Sequence, residues 1–154
     1  MKRILFVIVL VAMLVATTSV ASAGTTRIYF TGQTKCDPDV TLIREWMAGP
    51  NYQGRGFSQA CDDKASIPQM RGTEYINFKV QTVGLDGKWL ILSGTDRMET
   101  REGGVWTGSW EWPANTWILK IVMQGEGIYA GQQLRMFEDV RTDEFWGYIE
   151  VTGN

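Results

Sequence analysis

Residues 103–112 read Gly-Gly-Val-Trp-Thr-Gly-Ser-Trp-Glu-Trp, residues 125–131 read Gly-Glu-Gly-Ile-Tyr-Ala-Gly, and residues 145–151 read Phe-Trp-Gly-Tyr-Ile-Glu-Val. Large aromatics and glycines alternate with β-formers, in runs separated by turn residues. Alternation with period two places successive side chains on opposite faces of a strand. Trp106, Gly108, Trp110 and Trp112 then share one face, and Val105, Thr107, Ser109 and Glu111 share the other. The same parity groups Trp117, Leu119, Ile121 and Met123 in the next run, and Phe145, Gly147, Ile149 and Val151 in the last. Gly108 makes room for a neighbouring ring or bends the strand.

Working outward, the same alternation covers most of the chain. Thr25–Thr31 reads as a first strand, and the glycine-rich stretch Tyr52–Cys61 as a second strand or a loop. Arg71–Val83 is a long strand with Ile76, Phe78 and Val80 on one face. Gly84-Leu-Asp-Gly87 is a turn with glycines placed for positive φ, and Lys88–Met98 returns. Arg101–Gly104 turns into Val105–Trp112, which Pro113 ends because it cannot donate to a ladder. Thr116–Gln124, Ile128–Val140 and Glu144–Val151 complete the set. Asp39–Ala48 is the one candidate helix, stopped by Gly49-Pro50. About eight short-connected strands predict an all-β fold, an antiparallel meander barrel with one disulfide. No strand carries the features of a protected edge, which favours closure over a sandwich.

The N-terminus predicts export. Lys2 and Arg3 precede an apolar run from Ile4 to Ala16, and Ala21-Ser22-Ala23 supplies the small residues of a cleavage site. A spanning helix needs about 20 apolar residues, so residues 1–23 read as a signal peptide. Residues 24–154 then form one soluble, exported domain, secreted or periplasmic, with no membrane span after signal removal. Cys36 and Cys61 are the only cysteines, and an oxidising compartment makes them a disulfide pair. Closing that loop stabilises the fold by about 3–4 kcal/mol in the chain-entropy model.

Composition excludes several chemistries. The chain contains no His, so Ser-His-Asp and Cys-His catalysis and imidazole-based zinc sites are out. Removing Lys2 and Arg3 leaves 13 basic against 17 acidic residues, scattered and without a basic stripe, which argues against nucleic acid. No catalytic motif, metal site or cofactor motif stands out. The Gly125–Gly131 stretch lacks the helix that a dinucleotide fingerprint requires; it reads as a tight turn, with Gly131 leaving space for an aromatic. Asp62-Asp63, Glu138-Asp139 and Asp143-Glu144 read as solvated turn acids, and Arg135, Phe137, Asp139 and Arg141 as a solvated face.

The tryptophans are the candidate binding residues. Trp106, Trp110, Trp112 and Trp117 are ordinary core or the aromatic wall of a pocket for a small apolar ligand. A second candidate surface is the loop between Cys36 and Cys61, with Trp46, Met47, Tyr52 and Phe57 as anchors of an inhibitor or interaction module.

The motifs at 103–110, 125–131 and 145–149 resemble a set of small secreted bacterial β-barrel proteins of unknown function. In that set a Gly-x-Trp-x-Gly strand precedes a Gly-x-Gly-x-Tyr-x-Gly strand, and a Gly-x-Ile strand closes the domain. More distantly, the order is similar to the eight-stranded barrels of allene oxide cyclase and dirigent proteins. The resemblance covers about residues 70–154. It implies a barrel whose interior handles hydrophobic molecules, guiding cyclisation or radical coupling largely by shape. No acidic catalytic residue of those proteins maps onto a position here.

Overall fold

The structure is a computed structural model that describes residues 24–41, 44–83, 88–113 and 116–153, with side chains left undescribed between 80 and 92. Among the described residues nine strands follow one another: β1 (Thr25–Cys36), β2 (Arg44–Ala48), β3 (Asn51–Ala65), β4 (Gly72–Val83), β5 (Lys88–Thr100), β6 (Val105–Pro113), β7 (Ile118–Glu126), β8 (Gln132–Asp139) and β9 (Glu144–Thr152). They run in the order β1-β9-β8-β7-β6-β5-β4-β3-β2, every printed pairing antiparallel, and a β1–β3 pairing closes eight of them into a barrel. β2 is an extra strand on the outside of β3. Closure removes the unpaired edges that strongly apolar strands such as β9 would otherwise expose.

The strands from β4 to β9 fall close to the predicted runs. Three local readings are corrected. Asp39–Ala48 is not a helix: Thr41 bridges to Ser58, and Arg44–Ala48 pairs with β3. A two-stranded ladder satisfies this segment's backbone where one amphipathic turn could not. Ile128–Val140 is not one strand, because Gly127–Tyr129 forms a 3-10 turn before β8 begins. Gly131 has φ +82° with open space around it, so it serves backbone turning and not an aromatic neighbour. Gly104 makes room for the Tyr129 ring, and Gly125 for the backbone and Cβ of Tyr129. At Gly108 the crowding comes from the β7 backbone at Val122 and Met123, not from a ring. The signal segment 1–23 and the turn 84–87 lie outside the described residues.

Alternation assigns the interior. Even-numbered residues of β1, β4, β5, β6 and β8 face inward, with odd-numbered residues of β7, β9 and the second half of β3. The buried cluster contains Phe30, Met70, Met98, Trp106, Trp110, Ile121, Met123, Tyr129, Leu134, Met136, Phe145 and Ile149. Cys36 and Cys61 are directly opposed on β1 and β3 and form a disulfide across the closing ladder. Among the described residues no helix is long and apolar enough to cross a membrane.

Candidate functional site

The interior of the barrel is not wholly apolar. Asp63 on β3, Glu74 on β4, Asp96 on β5 and Glu138 on β8 are all buried, at 0%, 1%, 4% and 7% exposure. Each sits on the inward parity of its strand, in place of the apolar residue the alternation calls for. The expectation of solvated turn acids is therefore wrong for Asp63 and Glu138. It holds for Asp62, Asp139, Asp143 and Glu144, which face outward or lie in the turn.

Barrel geometry brings these four carboxyls to one level. The rung that starts at Phe30 passes through Gly147, Met136, Ile121, Trp110, Gly94 and Phe78 and reaches β3 at Phe57. Yet β1 itself meets β3 with Gly32 opposite Ala65. The rungs spiral because the strands tilt, so residues from different rungs share a height. Thr34 opposes Asp63, and Cys61 opposes Glu74, which sets Asp63 and Glu74 diagonally adjacent. Ile76 opposes Asp96 and Glu74 opposes Met98, which makes Glu74 and Asp96 the next diagonal. Glu138 closes the belt from the far wall, paired with Phe145, whose other neighbour is Gly32. The charges feel one another across the lumen: Asp63 raises Glu138, and Asp63, Asp96 and Glu138 all raise Glu74.

Burial dominates the acid–base behaviour of the belt, because a dry interior disfavours the ionised form. It pushes Asp63 up to about 7, with the Asp96 and Asp62 charges adding to the rise. Burial likewise pushes Asp96 up to about 6. Glu138 reaches about 8, through burial and then the charges of Asp63, Asp143 and Asp96. Burial also carries Glu74 well above the usual carboxylate range. Among the residues whose side chains are described, every lysine and arginine is exposed. Both oxygens of Asp63 and of Asp96, and Oε1 of Glu74, lack a hydrogen-bond partner. So do Thr34 Oγ1 and Trp110 Nε1 at the same level. Thr34 faces Asp63 without reaching hydrogen-bonding geometry.

The two sides of the belt differ. Beyond Asp96 and Glu138 lie Met98, Met136 and Leu134, then Trp106 stacked on Tyr129 with ring centres 4.9 Å apart. Trp106 Nε1 donates to Gln69 O at 3.0 Å, and Tyr129 Oη bonds Thr100 Oγ1 at 3.2 Å and Glu102 Oε2 at 3.1 Å. The turns Pro68–Met70 and Gly127–Tyr129 cap this end. Beyond Glu74 on the other side lie Ile76 and Phe78. Phe78 stacks on Phe57 at 4.9 Å and tilts against Trp110 at 6.1 Å. Phe57, Ile76, Phe78, Trp112 and Leu119 are only partly buried there.

The four predicted tryptophans separate. Trp106, Trp110 and Trp112 do face the lumen, Trp106 in the sealed end, Trp110 at the belt and Trp112 at the partly exposed end. Trp117 does not join them. It precedes β7, is 55% exposed and lies under the Arg141 guanidinium, which is paired with Asp139. The proposed anchors of the Cys36–Cys61 loop also divide. Trp46 and Met47 stand on β2, with Arg44 and Arg55 over the Trp46 ring. Tyr52 Oη donates to Glu45, and Phe57 packs against the barrel core.

Among the described residues no group of three or more acidic or cysteine side chains is arranged to hold a metal ion. Two grooves, of about 640 and 350 Å³, lie on the outer wall, one beside Thr31, Lys64, Ser66 and Trp146, the other beside Asp37, Ser58 and Tyr75. Neither contains a belt carboxyl. Comparison with protein-family models, curated proteins and solved structures gave no match.

Proposed function

We propose that this chain is an exported, non-enzymatic barrel that takes a small, mainly apolar molecule into the aromatic end of its lumen, with the carboxyl belt as the polar floor of the site. The observation that carries this reading is that Asp63, Glu74, Asp96 and Glu138 are buried on the same inward faces that carry the partly exposed rings of Phe57, Phe78 and Trp112 towards one end of the barrel. Buried ionisable groups without partners cost stability. Ligand sites pair an apolar wall with a few such polar groups. The Cys36–Cys61 disulfide is compatible with export to an oxidising compartment. Tryptophan fluorescence tests the reading: a panel of lipids, aromatics and sugars is titrated, and a blue shift or quenching that Trp112→Ala removes is expected. No response to any compound counts against a pocket.

A second reading is an isomerase or cyclase of the allene oxide cyclase or dirigent kind. What favours it is Glu138 at about 8 and Asp63 at about 7, carboxylic acids that keep a proton near neutrality and so can deliver it. Turnover of an apolar epoxide or quinone methide, abolished by Glu138→Gln with the fold intact, is the outcome that would select it over simple binding.

A further inference from the structure

We infer that the ligand of the belt is an organic cation, an amine with an apolar body, seated with its ammonium among the carboxyls and its body among the rings; this rests on the binding reading above.

The argument begins with charge. Four carboxyls face one another across the lumen, and every lysine and arginine whose side chain is described is exposed. The group missing from such an interior is positive, because a buried carboxylate is stabilised by a hydrogen-bonded counter-charge and by little else. Two observations outside the acids point the same way. Thr34 Oγ1 is buried without a partner opposite Asp63 and offers an acceptor for an ammonium N–H. Trp110 sits diagonally from Asp96, and its indole ring, with Phe78 against it, belongs to the ring wall. Aromatic faces attract cations, the more so when desolvated.

The shape of the belt decides which cation. The carboxyls come from four strands around the wall and do not converge on a point, so no described set is arranged for a metal ion. A spread of acceptors next to apolar rings suits a charge carried on a hydrocarbon body. The chemistry of binding balances simply. The ammonium enters already protonated, a belt carboxylic acid gives its proton to solvent, and an ammonium–carboxylate pair remains. The groups facing that pair are Asp63, Glu74, Asp96 and Glu138, with Thr34 Oγ1 as a neutral acceptor and the Trp110 ring as an aromatic face.

The test uses matched probes on the full mature protein at pH 7: 2-phenylethylamine, 2-phenylethanol and phenylacetate, and octylamine, octanol and octanoate. Binding is read by tryptophan fluorescence and by calorimetry in two buffers of different ionisation enthalpy. At least one amine is expected to bind tenfold or more tighter than its alcohol and its carboxylate, with a buffer-dependent heat that reports proton release. Asp96→Asn, and separately Glu74→Gln, should erase the preference for the amine while the alcohol still binds. If the alcohol binds as tightly as the amine, the cation inference is overturned and the apolar-ligand reading stands. If none of the six compounds binds, both fall. Displacement of the amine by millimolar calcium chloride overturns the choice of an organic cation over a metal.

Discussion

On one side of the belt, Met98, Met123, Leu134, Met136, Ile149 and Trp106 pack at 0–1% exposure; on the other, Phe57, Phe78, Trp112 and Leu119 keep part of their surface in water. Both halves are lined by inward residues of the same strands, so secondary structure does not separate them. What separates them is what lies across the lumen. The first half has two turns folded over it and every polar group partnered, as Trp106 Nε1 is by Gln69 and Tyr129 Oη by Thr100 and Glu102. The second half begins at Asp63 and Asp96, whose carboxyl oxygens have no partner. Stability is concentrated in the sealed half, and the belt and the aromatic end are where the chain holds groups that stability alone does not favour.

The sharpest way to break this comparison is to empty the sealed half. Trp106→Ala removes a fully buried ring and its stacking on Tyr129, and should cost about 3–5 kcal/mol in a denaturant melt. Trp112→Ala should cost clearly less. Equal losses would mean that the two ends are packed alike. Next comes the closing ladder: Cys36→Ser with Cys61→Ser should lower stability by about 3 kcal/mol.

The belt makes a prediction of the opposite sign to ordinary acid denaturation. Unfolded carboxyls titrate near pH 4, whereas Asp96, Asp63 and Glu138 titrate at about 6, 7 and 8 in the fold. Between these limits the folded state binds more protons than the unfolded state, so stability falls as pH rises from about 4 to about 8. A melting series across that range should show a steady decline that levels off once the belt has ionised. A rising series would sink the claim that these groups are dry and unpaired. Glu74→Gln keeps the shape and removes the charge. It should raise stability by about 1–2 kcal/mol at pH 8, change it little at pH 4 and flatten the pH profile. Smallest of all, Arg27→Ala removes an exposed pair with Glu150 and should leave the midpoint unchanged within error.

Much of this fold was legible in the chain, and for a specific reason. Period-two alternation fixes which face each residue takes once it is in a strand, so the inward set Trp106, Trp110 and Trp112 could be named from sequence. Segments without strong alternation were not legible. Asp39–Ala48 reads as a helix because so short a stretch carries too little periodicity to distinguish a strand, and the pairing of Arg44–Ala48 with β3 is a tertiary fact. Trp117 looked inward because its parity matches Leu119, but parity holds only inside the ladder and Trp117 stands before it. The belt does leave a signal in the sequence. Asp63 alternates with Cys61 and Ala65, Glu74 with Ile76 and Phe78, Asp96 with Met98, and Glu138 with Leu134 and Met136. An acid at an inward position recurs in four strands.

The sequence by itself determined that the chain is all-β, that it closes through short turns, that Cys36 and Cys61 pair, and which faces are apolar, because these follow from residue-by-residue alternation, turn chemistry and cysteine count. Only the tertiary structure decided that four acids scattered between positions 63 and 138 occupy one level of one lumen. That meeting depends on the tilt of the strands and the stagger at which β1 closes on β3, and no local pattern records either.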